Sequence, residues 1–169
     1  MILTGEALKR AKARAIAELF AEESGKFVCA SAGHNLEAVM AAHGSGAVKL
    51  SRTEGKIFLN VDIGGGTTKL ALFRDGAIIA NAAISVGGRL LAFGADDELV
   101  RIEGPARRIA RAAEIELVPG AAMDPVDRRA FVRKMVAVLV DHIRQQEPDG
   151  LARELLVTPP LPPAPLPDV

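Results

Sequence analysis

LNVDIGGGTTKLALF, residues 59–73, decides the fold of this chain. An apolar strand runs into an acid, three glycines and two threonines, then resumes as a second apolar strand. Residues 57–62 (IFLNVD) read as one strand. Residues 68–73 (TKLALF) and 77–86 (AIIANAAISV) read as a hairpin turned at Arg74-Asp75-Gly76, an Asp-Gly turn of the type hairpins favour. The near-continuous apolarity of these strands predicts a sheet covered on both faces, with Leu59 to Val61 in a central buried strand and the hairpin beside it. The class is α/β.

The glycines between the strands carry the chemistry. Gly64, Gly65 and Gly66 allow positive φ and let backbone N–H groups converge without interference from Cβ atoms. Converging amides make an anion-binding concavity, and Thr67 and Thr68 add hydroxyl donors beside it. Asp62, at the strand end, has the wrong charge to hold phosphate. It is placed to hold Mg²⁺ through water, because Mg²⁺ keeps several waters and takes few carboxylates. The stretch therefore reads as a phosphate loop with an acid on the metal side. The Walker pattern is excluded, since no Gly-Lys-Ser/Thr tripeptide occurs. The dinucleotide pattern is excluded because Lys69 stands where its third glycine belongs and a hairpin, not a helix, follows.

The rest of the chain is laid out around this loop. Thr4 caps a helix expected over residues 5–23, whose exposed face carries KRAKAR, and Gly25 ends it. FVCAS (27–31) reads as a short buried strand, NLEAVMAAHGSGA (35–47) as a helix of small residues and SRTEGK (51–56) as a polar turn. Gly87-Gly88 follows the hairpin, and ELVRIE (98–103) and ELLVT (154–158) read as further strands. PARRIARAAEI (105–115) and a segment starting at Asp124-Pro125 read as helices, the second with Phe131, Met135, Val138, Leu139 and His142 in one buried stripe. Six of the ten prolines fall in residues 159–169, which favours an extended tail or linker.

Composition limits the remaining possibilities. Lys plus Arg and Asp plus Glu number 21 each, so no net field draws nucleic acid or an anionic membrane. A single cysteine, Cys29, excludes a disulfide framework and suits a reducing cytoplasm. No apolar run approaches the ~18 residues of a membrane span. His34 and His43 lack a third ligand at a sensible spacing and read as helix-end residues, not a metal pair.

Strand, Asp-Ile-Gly-Gly-Gly-Thr-Thr, hairpin and Gly-Gly together resemble the second phosphate loop of the actin, heat-shock chaperone and sugar-kinase ATPase superfamily. A helix of small residues before that loop packs at the hinge between two lobes there, and Ala41, Ala42, Gly44, Gly46 and Ala47 fit the place. Within the superfamily, TGEALKRAKAR, ASAGHNLEAVMAAHGSGA, NVDIGGGTTKLALF and VGGRLL are most similar to the ethanolamine ammonia-lyase reactivating factors, the EutA family. That resemblance covers roughly residues 4–157.

The resemblance implies an actin-like (ribonuclease H-like) ATPase subdomain over residues 55–158, with a mixed sheet containing an antiparallel hairpin, flanked by helices. Residues 1–54 would supply a helix–strand–helix segment with the hinge helix, and 159–169 the tail. It further implies ATP and Mg²⁺ as cofactors, with Asp62 on the metal and Gly64, Gly65, Gly66, Thr67, Thr68, Lys69, Gly87 and Gly88 on the nucleotide. Ethanolamine ammonia-lyase is the implied partner, and the location is cytoplasmic, in association with a bacterial microcompartment. No stretch reads as a cobalamin site.

The sequence departs from the superfamily in two ways. Lys69 replaces the acid that often follows the threonines, which suits phosphate contact better than activation of water. An earlier phosphate loop and a later adenosine-binding Gly-Gly segment are not found, so the chain reads as the middle of the full protein. Two activities are then in play: part of an ATP-dependent reactivase that releases damaged cobalamin from the lyase, or a non-catalytic interaction domain that retains the loop as scaffold. Arg89 reads equally as a nucleotide or partner contact and as half of a surface ion pair, and Glu37 reads as a solvated helix carboxylate, with a place facing the cleft as the weaker reading.

Overall fold

The computed structural model describes residues 2–4 and 30–163. The expected helix over 5–23, its basic face and Cys29 lie outside the described residues. Two short strands, β1 (Ile2–Thr4) and β2 (Ala30–Ala32), pair in parallel. Helix α1 (His34–Gly44) and helix α2 (Ala47–Glu54) follow. The sequence read one helix over 35–47 and then a polar turn. Instead Gly46, at φ +82°, breaks the helix, and α2 runs on through most of that turn until Gly55, at φ +65°, ends it.

Strands β3 (Ile57–Ile63), β4 (Thr68–Arg74) and β5 (Ala77–Ile84) form one antiparallel sheet in the order β3-β4-β5. At the hairpin tip Asp75 and Gly76 have φ of 51° and 76°. Both are left-handed, as a turn matching the strand twist requires. Among the described residues the expected mixed sheet is not observed: the parallel pair β1–β2 is separate from this antiparallel sheet. The strand order also moves the centre. β4, bonded on both sides, is the central buried strand, whereas β3 is an edge among the described residues, with Val61 36% and Ile63 59% exposed.

β4 serves two cores because alternate residues leave opposite faces. Leu70 joins a large cluster with Ile84, Val86, Ile109 and Phe131. Ala71 and Phe73 join a smaller one with Ala38 and Ala42 of α1 and Val48 of α2. The small side chains of α1 let the helix lie close against the strand.

Strands β6 (Leu91–Phe93) and β7 (Leu99–Ile102) form a second hairpin, followed by α3 (Gly104–Ala112), α4 (Pro125–Ile143) and α5 (Gly150–Glu154). In α4 the expected stripe is present, with Phe131, Val138 and His142 buried. ELLVT is not a strand. Its first residue ends α5, and Leu155 to Thr158 then run beside β5, through Ser85 N–H to Leu155 O at 2.7 Å and Val157 N–H to Ala83 O at 2.9 Å. Pro159 and Pro160 have no N–H with which to prolong that pairing. The proline-rich end is anchored at its start, where Leu161 packs into the large cluster.

Candidate functional site

The glycine loop is a four-residue connection closed by Gly64 N–H donating to Thr67 O at 2.9 Å. Gly64 and Gly65 do not use the left-handed conformation that glycine allows. Space at Gly64 is tight: a Cβ there would stand 3.0 Å from Thr67 O.

The segment after β5 lies against the loop. Gly88 N–H donates to Gly64 O at 2.9 Å and Arg89 N–H to Gly65 O at 2.7 Å. A Cβ on Gly87 would meet Gly65 O at 2.6 Å and Gly64 O at 2.7 Å, so only glycine permits this approach. Two loop carbonyls are thus engaged from behind. The N–H groups of Gly65, Gly66 and Thr67 donate to no acceptor among the described residues, as an anion-binding concavity requires.

These three residues line a cavity of about 190 Å³ together with Arg89, His34 and Arg101. Arg101 is committed to Glu103 at 3.1 Å, whereas Arg89 has no ion pair among the described residues. The Arg89 methylenes cover Gly65, with Cδ 3.5 Å from where a Gly65 Cβ would be.

The other predicted residues are placed differently. Thr68 is fully buried, and its hydroxyl donates to Val86 O at 2.8 Å, joining β4 to the end of the hairpin. Gly87 and Gly88 support the loop and do not line the cavity. Asp62 is half-buried on β3, directly opposite Lys69 in the ladder, and makes no ion pair among the described residues. Lys69 points at α1: its Nζ lies 2.7 Å from Glu37 Oε2, with both side chains nearly inaccessible. Glu37 is therefore not on a solvated face. One signal was present in the sequence. Lys69 and Glu37 are single opposite charges in two otherwise apolar segments, and buried charges are normally paired.

His34 and His43 stand at opposite ends of α1, and no cluster of three or more His, Cys, Asp or Glu is found among the described residues. Asp62 does not line the cavity; a single half-buried carboxylate fits Mg²⁺, which completes its shell with water and phosphate, and fits poorly a metal that needs a protein cage. Among the described residues no helix is long and apolar enough to cross a membrane.

Fold and site together define an α/β domain whose glycine loop, braced by a second glycine pair, carries three unengaged amides and lines a small cavity with an arginine. The family profile described as "Ethanolamine utilisation protein EutA" matches residues 1–166, and the chain belongs to that family. It is 43% identical over 109 residues to the ethanolamine ammonia-lyase reactivase EutA of Salmonella typhimurium, covering 64% of this chain and 23% of that protein. It is 36% identical over 146 residues to the Escherichia coli protein of the same name, covering 83% of this chain and 31% of the other. The chain thus spans about a quarter to a third of these curated relatives. No solved structure gives a significant match.

Proposed function

We propose that this chain is part of an ATP-dependent reactivating factor for adenosylcobalamin-dependent ethanolamine ammonia-lyase, one that releases damaged cobalamin so that intact cofactor can enter. Its relatives bear the reactivase name. The observation that carries the nucleotide reading is the set of unengaged amides at Gly65, Gly66 and Thr67, residues that line a cavity with Arg89. In an actin-like cleft these amides and the Thr67 hydroxyl hold the β- and γ-phosphates, and Arg89 adds positive charge. Asp62 would hold Mg²⁺ through water. Bound Mg²⁺ neutralises phosphate charge, and the protein's share is positioning and electrostatics, as phosphoryl transfer generally requires. Gly64, Gly87 and Gly88 keep the loop in shape, while Thr68 and Lys69 act from behind it. Nucleotide binding moves two lobes about α1, a hinge closure.

A second reading is favoured by one observation. Thr68 and Lys69 are both engaged internally, which shortens the set of phosphate ligands and fits an interaction domain that keeps the loop as scaffold.

Titration of the purified chain with Mg–ATP, then mixing with cobalamin-inactivated lyase, separates the two. With a single phosphate loop, we expect weak nucleotide binding, negligible turnover and binding to the lyase. Turnover by this chain alone at usual enzyme rates, roughly 1 to 10³ s⁻¹, overturns the view that it supplies one clamp of two. Binding to the lyase with no measurable affinity for nucleotide selects the scaffold reading.

A further inference from the structure

Lys69 and Glu37 share a sheet face with Asp62 but line no part of the cavity. Their side chains are 10% and 6% exposed, and their charged atoms lie 2.7 Å apart. A buried ion pair commonly adds no more stability than apolar residues of the same volume. A role other than stability is therefore called for, and the strand register supplies one.

Asp62 and Lys69 are directly opposite in the β3–β4 ladder. Residues so paired leave the same face, with Cβ atoms about 4.5–5.5 Å apart, and opposite charges in that arrangement attract. The lysine ammonium, on a flexible four-carbon stem, is able to reach either acid. It is found on Glu37, in the first turn of α1, where the helix dipole favours a carboxylate. Asp62 is left without an ion pair among the described residues.

We propose that Glu37 is a positioning residue: it holds Lys69 away from Asp62 and so keeps the Asp62 carboxylate open to a divalent cation. The inference rests on the reading of Asp62 as the metal-side acid. Without Glu37, the ammonium turns to the carboxylate across the ladder. A cation must then displace it from Asp62 and bind beside a like charge. Glu37 also neutralises that ammonium beneath the loop, where a Gly64 Cβ would stand 3.7 Å from Lys69 Nζ.

The test uses the whole chain and Mn²⁺ as probe, an ion with the same preference for oxygen ligands, followed by water-proton relaxation. Glu37→Gln is expected to weaken Mn²⁺ binding about tenfold, since a neighbouring like charge strongly disfavours a cation. The double variant Glu37→Gln/Lys69→Met removes the competing ammonium and is expected to restore binding to within about twofold. A crystal structure of Glu37→Gln is expected to show Lys69 Nζ on Asp62. A purely structural pair would instead lower the melting temperature of Glu37→Gln and leave Mn²⁺ affinity unchanged. That result, with binding still abolished by Asp62→Asn, overturns this inference alone. Mn²⁺ binding indifferent to Asp62→Asn, or no binding by the unmodified chain, overturns the metal-side reading and the inference with it. Where Glu37→Gln does not fold, Glu37→Asp keeps the charge but withdraws it by one methylene. Weaker binding is expected there as well, and unchanged binding overturns the inference.

Discussion

Replacing Gly87 with alanine tests the packing that shapes the site. The added Cβ would stand 2.6 Å from Gly65 O and 2.7 Å from both Gly64 O and Gly65 C. All three are backbone atoms, so no side chain can rotate away to make room. The segment must withdraw from the loop, and the hydrogen bonds from Gly88 N–H to Gly64 O and from Arg89 N–H to Gly65 O lengthen or break. Overpacking of this kind costs about 1–3 kcal/mol. Two lost hydrogen bonds add about 0.5–1.5 kcal/mol each. A total of roughly 2–6 kcal/mol is large against the ~5–15 kcal/mol by which domains are stable. Gly88→Ala is the internal control. Nothing lies within 4 Å of its Cβ position, its backbone is not left-handed, and the expected cost is under about 1 kcal/mol. Urea unfolding of the two variants measures the difference, with the slope checked for constancy so that a midpoint shift reports stability. Equal midpoints for Gly87→Ala and Gly88→Ala would refute the close approach and with it the account of how the loop is held.

Asp62→Asn is expected to abolish divalent-cation binding with little change in melting temperature, because the half-buried carboxylate has no ion pair among the described residues to lose; a lost fold with normal metal affinity would make Asp62 a turn-holding residue. Thr68→Val is expected to cost about 1–3 kcal/mol in urea unfolding, through loss of the bond to Val86 O, with nucleotide affinity unchanged. Reduced affinity at unchanged stability would place that hydroxyl on the ligand. Burial lowers the His142 pKa from its usual 6.5, a shift partly offset by the Ala152 carbonyl 3.2 Å from Nε2 and by Asp141. The unfolded chain then takes up the proton more readily, so this residue's contribution is intact above 6.5 and is lost as pH falls below it. Melting temperatures taken downward from neutral pH should decline more steeply for the unmodified protein than for His142→Gln, and parallel curves would refute the assignment.

How far sequence reached depended on whether the determining interactions were local. Asp75-Gly76 fixed the hairpin because its left-handed dihedrals are a property of two residues. The α4 stripe followed from helical periodicity alone. What escaped was set by pairing across the chain. Continuous apolarity marks a buried strand but not its neighbours, so it predicts β3 as central where β4 holds that place. ELLVT has strand composition, yet its register beside β5 is set by single bonds to Ala83 and Ser85, and its first residue closes a short helix. SRTEGK looks like a turn by composition, but Gly46 and not the polar run decides where α1 stops and α2 starts.

The candidate site divides the same way, and the division bears on what the loop can do. Its glycines were legible as a cluster, but their reason is contact between segments distant in sequence. Gly87 makes room for the loop carbonyls, and Gly88 and Arg89 bond them. With those carbonyls bonded, the loop is ordered before any ligand arrives, so binding need not meet the cost of ordering it. The same segment continues into Leu90, which is buried in the large core and whose carbonyl accepts from Glu103 N–H at 3.0 Å, at the N-terminus of α3. On its other flank Lys69, the second residue after the loop, is tied to α1 through Glu37. The loop is thus bonded on one side to the large core and on the other to the helix of the smaller one. A displacement of Gly64–Thr67 cannot be accommodated locally: it must break one of these ties or move α1 relative to the sheet.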